Sequence, residues 1–334
     1  MKKLMTNEYA DRLDHWIRTL RTDLYEPLEE IRFGGFQTLK YLTAEEAAWR
    51  TFLPMEPGTE WGRTWEYMWL RSRIRLPEKA QGKQIVMDLA LSGEATLFVN
   101  GSAFGTRRAE WVQTPHHYMV DNFLTRCGKA GTEYELLFEV YAGHSFPDAA
   151  GPVMPGAYQD PLPEGRRAKL GVSTFGIWRE EAYQLLMDVM TLKKLYEQLP
   201  EGDYRTEQIA DALEAFTHCV DFEQPPENRL ADYVRCREVL RPALEAVNGT
   251  YQATMYAVGN AHLDLAWLWP MAETCRKTAR TFAQQLRLLE RYPEYRFIQS
   301  QPAAYEMCRE HYPELYERIR KAASNGQWIA DGAM

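Results

Sequence analysis

The spacing of apolar residues changes period several times along this 334-residue chain, and each change marks a different kind of structure. Tyr9, Leu13, Trp16, Ile17, Leu20 and Leu24 recur every three or four residues, the stripe of a packing helix. Thr43 and Glu46 form a Thr-x-x-Glu capping box that opens a second, short helix. From about Trp61 the pattern becomes that of strands. Residues 65–76 alternate over their second half and stop at Pro77. Further strands are expected at 85–91, 94–99 (running into the hairpin signal Asn100-Gly101), 134–142 and 183–189. Short strands separated by Gly and Pro predict an antiparallel β-sandwich of jelly-roll type. Residues 192–247 return to helical spacing, with Ile209, Leu213, Phe216 and Val220 on one stripe and Tyr233, Arg237 and Leu240 opening another.

The last segment changes class. Thr254–Val258 is apolar without alternation, as in a strand buried on both faces of a parallel sheet. Ala272, Cys275, Ala279, Phe282, Leu286 and Leu289 then step through a helix, 296–300 form a second strand, a helix pair breaks at Pro313, and 328–331 begin a third strand. The chain is therefore expected to be multidomain. Residues 1–190 hold an N-terminal helix plus the β-sandwich, 191–250 a helical connector, and 251–334 the first β-α-β-α-β units of an incomplete α/β domain.

Composition narrows the function classes. Thirty-nine basic against forty-seven acidic residues leave a net charge of −8, which offers no footprint for nucleic acid or an anionic membrane. Five scattered cysteines without a Cys-x-x-Cys pair argue against a disulfide framework or a cysteine zinc cage, and for a cytoplasmic protein. No apolar core follows Lys2 and Lys3, and no run of about 18 apolar residues occurs, so the glycosylation-like triplets at Asn100 and Asn248 are expected to be turns. His116 and His117 have no evident partner. The Gly- and Pro-rich stretch 143–179, with His144 and Trp178, is expected to cover a neighbouring domain.

Chemistry concentrates at 256–270. His262 and Asp264 follow an apolar run and stand two apart, so an extended backbone projects both from one face, where a nitrogen and an oxygen can share a divalent ion. Spacing alone leaves two readings open: metal ligands at the carboxyl end of a strand, or a hydrogen-bonded core histidine with an aspartate capping the next helix.

The run 257–270, with Glu273–Phe282, Tyr292–Gln301 and Tyr312–Tyr316, resembles the opening of the catalytic domain of family 38 glycoside hydrolases, the class II α-mannosidases. The N-terminal portion resembles, more loosely, the β-rich domain of the cytosolic and bacterial branch. The resemblance implies a zinc-dependent (or cobalt-dependent) retaining glycosidase acting on terminal α-mannosides of oligosaccharides. His262 and Asp264 then correspond to two metal ligands and Trp267 to the aromatic that packs on the mannose ring. It also implies that the nucleophile, the acid/base and the remaining ligands lie past Met334, so that no catalytic residue falls within this chain and the fragment alone is inactive. Asp331 is read as a strand residue. Two other functions remain open: a sugar-binding sandwich without catalysis, and a metal-dependent sugar deacetylase, in which a second Asp follows the first where this chain has Leu265.

Overall fold

The computed structural model describes residues 7–63, 65–107, 123–142, 168–200, 202–247, 254–267 and 269–331. His116, His117, His144, most of the 143–179 stretch and the Asn248 triplet lie outside them. The chain forms two compact units, Met1–Glu26 with Ile177–Met255, and Pro27–Gly176 with Tyr256–Met334.

The first unit is helical. Among the described residues, Asn7–Asp23, Glu180–Gln198, Tyr204–Cys219 and Pro226–Leu244 pack on one another. The stripe Tyr9, Leu13, Ile17, Leu20 and Leu24 is buried as its spacing requires. Asp23 is also buried and accepts hydrogen bonds from Arg229 at 2.7 Å and from the Tyr233 hydroxyl. Residues 183–189, expected as a strand, lie inside the Glu180–Gln198 helix. Their apolar positions continue as Ala182, Leu185, Leu186, Val189, Leu192 and Tyr196, a helical series that a seven-residue window is too short to separate from a strand. The division into consecutive blocks 1–190, 191–250 and 251–334 changes accordingly. The N-terminal helix finds its cover in the helices after 180, not in the strands that follow it in sequence.

The second unit is built on an antiparallel sheet ordered Leu53–Met55, Phe33–Thr38, Tyr67–Arg75, Glu133–Tyr141, Glu94–Val99 and Ser102–Arg107. A four-stranded sheet accompanies it, ordered Tyr25–Glu30, Thr174–Trp178, Gln84–Asp88 and Phe123–Thr125. Asn100 and Gly101 both take positive φ (51° and 83°), the hairpin turn their sequence announces. Thr43 and Glu46 close the expected capping box on Ala44–Ala48.

Along Tyr67–Arg75 the burial pattern changes midway. Arg71, Arg73 and Arg75 are exposed between buried Ser72 and Ile74, whereas Tyr67, Met68, Trp69 and Leu70 are all buried. Both faces are covered in the first half because the helix Met271–Arg291 lies against the outer face. Three parallel strands, Gly259–Asn260, Phe297–Ile298 and Trp328–Ile329, alternate with that helix and with Pro302–His311 and Pro313–Ser324. Phe282, Leu286, Phe297, Cys308, Leu315, Ile319 and Trp328 form their core. The β-α-β-α-β order is the expected one, but its first strand is shorter. Thr254–Val258 is not in the sheet, and Met255 and Tyr256 are 91% and 90% exposed. The core helices cover Leu263, Phe297 and Trp328 and leave the residues before Gly259 without apolar cover among the described residues.

A buried ionic cluster attaches the α/β segment to the sheet. Arg276 donates to Glu139 at 2.6 Å and to the Leu42 carbonyl at 3.0 Å. Glu273 is fully buried and accepts from Arg280 and from the Tyr67 hydroxyl. Glu94 takes Lys277 at 2.6 Å and Arg280 at 3.0 Å. Burial disfavours a charged Glu94, but the two cations outweigh it and hold its carboxyl below the usual range. Burial and then Glu273 raise the Tyr67 phenol far above its ordinary value, so it stays a proton donor. Glu273→Ala would leave the buried Tyr67 hydroxyl without its acceptor and take from Arg280 one of its two carboxylates. The expected loss is about 3–5 kcal/mol in urea unfolding; a loss below about 1 kcal/mol would mean the cluster is not holding the segment.

Candidate functional site

The segment after Gly259–Asn260 is an irregular loop held from several sides. At Gly259 the backbone runs against Tyr295, and a Cβ there would collide with the tyrosine hydroxyl. Asn260 Nδ2 donates to the Ile298 carbonyl at 3.0 Å, and Gln299 Nε2 donates to the Ala261 carbonyl at 3.1 Å. Gln301 Nε2 donates to the Leu263 carbonyl at 2.5 Å. Leu263 enters the core between His262 and Asp264, which turns its two neighbours the other way. On the helix side, the Thr274 hydroxyl donates toward the carbonyls of Leu265 and Asp264 and accepts from the Trp269 indole at 3.1 Å.

His262 and Asp264 come together. Nε2 of His262 lies 3.0 Å from Oδ1 of Asp264, with the side chains 80% and 39% exposed. That exposure removes the core-histidine reading. The helix-cap reading also fails, because the next helix starts at Met271 with Pro270 as its cap and no capping side chain. An exposed imidazole nitrogen and a carboxylate oxygen beyond the carboxyl end of a parallel strand suit two ligands of a divalent ion. The 3.0 Å contact between them is a hydrogen bond, made by two side chains of ligand type on one exposed loop. Among the described residues, no group of three or more His, Cys, Asp or Glu is placed to hold an ion. Asp331 is exposed and lies beyond the strand Trp328–Ile329, not within it.

Trp267, half exposed, sits on the same loop with its ring edge-on to Trp269 at 5.5 Å. Lys277 Nζ stands 4.5 Å from the Trp269 ring centroid, so Trp269 is gripped from the helix while Trp267 keeps an open face. Burial pushes the nearby Cys275 thiol up to about 11, which removes it as a thiolate ligand or nucleophile at neutral pH. Gln299, Gln301 and Thr274 were not singled out in the sequence. A pair of glutamines two apart after a short strand would present both amides to one neighbouring loop, and this was the one local signal available.

Two segments of the chain match known protein families. Residues 252–334 match the glycosyl hydrolases family 38 N-terminal domain, and residues 28–161 match the alpha-mannosidase jelly roll domain. Both matches bear out the resemblance to the family 38 glycoside hydrolases carried by 257–316, and the second makes the sheet domain a jelly roll. Similar curated proteins include Alpha-mannosidase 2C1 of Homo sapiens, 28% identical over 90% of this chain and 27% of the relative. Alpha-mannosidase G of Dictyostelium discoideum is 28% identical over 82% of this chain and 24% of the relative, and Alpha-mannosidase of Saccharomyces cerevisiae is 26% identical over 77% and 24%. The chain thus spans about a quarter of the length of the curated relatives it matches. Among solved structures, Ruminococcus gnavus beta-glucuronidase aligns over 46% of this chain and 28% of its own, at 12% identity and a TM-score of 0.31, too low to bear on function.

Thr274→Val removes the hydroxyl that ties the loop to the helix. Amide exchange over 262–269 is expected to speed up about tenfold while the global unfolding midpoint hardly moves. Unchanged exchange would show that the loop is held without Thr274.

Proposed function

We propose that this chain is the N-terminal part of a zinc-dependent retaining α-mannosidase that hydrolyses terminal α-mannosides of oligosaccharides. The observation that carries the reading is the exposed His262–Asp264 pair, 3.0 Å apart, on a loop that also presents Trp267. His262 and Asp264 would hold a divalent ion, zinc or cobalt, and the open face of Trp267 would pack on the C–H face of the mannose ring. A divalent ion in such a site supplies Lewis-acid attraction for sugar hydroxyls and favours the distorted ring that precedes an oxocarbenium-like transition state. A retaining glycosidase needs two carboxylates roughly 5 Å apart, one as nucleophile and one as acid then base. The resemblance to family 38 implies that this pair lies past Met334, and on that reading the 334-residue chain is expected to be inactive by itself.

Support for the reading also comes from the mannosidase names of the relatives. Five free cysteines, two of them buried, fit a reducing cytoplasmic compartment. No helix among the described residues is long and apolar enough to cross a membrane. The deacetylase reading draws less support, since Leu265 stands where that chemistry needs a second carboxylate.

The full-length parent protein is expected to hydrolyse 4-nitrophenyl α-mannoside, to lose that activity on dialysis against a chelator, and to regain it with zinc or cobalt. His262→Ala in the parent should lower kcat/KM by about a hundredfold or more. Hydrolysis indifferent to the chelator, or no hydrolysis at all, would sink the proposal.

A further inference from the structure

Two of the free cysteines meet in the helical unit. Cys219 is the last residue of the helix Tyr204–Cys219, and Cys236 lies midway along the helix Pro226–Leu244 packed against it. The two side chains are in hydrogen-bonding contact, sulfur to sulfur. A second tie holds the same junction. Arg235 donates to the Cys219 carbonyl at 3.0 Å, and its guanidinium also hydrogen-bonds the Cys219 side chain. Asp232 steadies that guanidinium from 2.9 Å.

The two thiols differ in a way that suits sequential chemistry. Cys219 is partly exposed, whereas Cys236 is fully buried. Burial, and then the Cys219 sulfur beside it, push the Cys236 thiol far above its ordinary value. It therefore stays protonated and out of reach of reagents in solution. A partly exposed cysteine beside a cation, with a second thiol against it, can take up an oxidant and then resolve to a disulfide. The cysteines of the other unit are placed differently. Cys308 is buried and directs its thiol to the Tyr312 carbonyl at 3.9 Å, and burial pushes Cys275 up to about 11. Geometry also favours the first pair. After Cys219 the backbone turns extended at Val220 (φ −109°, ψ 128°), so the movement that closes a sulfur–sulfur bond falls on a helix terminus, not a helix interior.

We propose that Cys219 and Cys236 form a reversible, redox-sensing disulfide in which Cys219 reacts first and Cys236 resolves it. With hydrogen peroxide as oxidant, the Cys219 sulfur attacks one peroxide oxygen and the O–O bond breaks. Cys219 sulfenic acid and one water result. The Cys236 sulfur then attacks the Cys219 sulfur. The S–O bond breaks, and the departing hydroxide takes the Cys236 proton as a second water. Two thiols have then given two electrons to the peroxide, and a dithiol reductant reverses the bond by being oxidised itself. The bond closes the segment that carries Phe222, Arg229 and Tyr233. Phe222 stacks on Trp16 at 4.3 Å, and Arg229 and Tyr233 hold Asp23. Oxidation thus tightens the hold of this unit on its N-terminal helix. The switch does not depend on the mannosidase reading.

Treating the folded 334-residue chain with hydrogen peroxide, then alkylating it and mapping its peptides by non-reducing mass spectrometry, tests this. The expected result is a cross-link from Cys219 to Cys236 that dithiothreitol removes. The oxidised chain should melt about 5 °C higher than the reduced one, because the bond restricts the unfolded chain. Cys236→Ala should leave Cys219 as a sulfenic acid that dimedone traps, and Cys219→Ser should leave Cys236 unmodified. Arg235→Gln should slow cross-linking about threefold with the melting temperature unchanged. The wild-type map needs no variant, so it decides even if Cys236→Ala folds poorly. Absence of the cross-link at peroxide levels that oxidise the exposed Cys127 would overturn the proposal. A cross-link between Cys275 and Cys308 in its place, or oxidation of Cys236 ahead of Cys219, would overturn it as well.

Discussion

The ionic cluster on the outer face of the six-stranded sheet is the interaction on which the rest of the second unit depends. Glu273, Arg276, Lys277 and Arg280 come from two turns of one helix, and Glu94, Glu139 and Tyr67 from three adjacent strands. Charges this deeply buried cost several kcal/mol each to desolvate, and only close pairing with hydrogen bonds offsets that cost. The reward is specificity of position. Apolar contacts alone would let the helix slide or rotate on the sheet, whereas the Glu273–Arg280–Glu94 chain and the Arg276–Glu139 pair fix its register.

Register matters because the candidate site hangs from the N-terminus of that helix. Glu273 is locked into the cluster, and Thr274 beside it holds the loop at Asp264 and Leu265. From the other side Gln299 and Gln301 hold the backbone of Ala261 and Leu263. The jelly roll thereby takes part in positioning His262 and Asp264.

Much of this was legible in the sequence, for local reasons. The Thr43–Glu46 box and the Asn100-Gly101 turn depend on backbone and side-chain geometry within four residues, and both formed as their residues dictate. The alternation of helices with short parallel strands after 256 followed from periodicity, and His262 with Asp264 from spacing along an extended segment. What could not be read was long-range. Residues 183–189 took helical form because their neighbours extend the stripe and the N-terminal helix covers it. Glu273, Arg276 and Arg280 look like an ordinary solvated face until the sheet closes over them, and nothing within the helix reports that partner.

By itself the sequence determined the elements, the jelly-roll class and the identity of two ligand-type side chains, because period, capping and turn chemistry act over a few residues. Tertiary structure alone decided three things. It paired the N-terminal helix with helices far along the chain, it buried a charged helix face against a sheet, and it turned His262 and Asp264 outward instead of into a core. Each of these depends on which surface meets which, a matter of contacts between residues far apart in the chain. The His262–Asp264 pair is thus encoded locally and aimed globally.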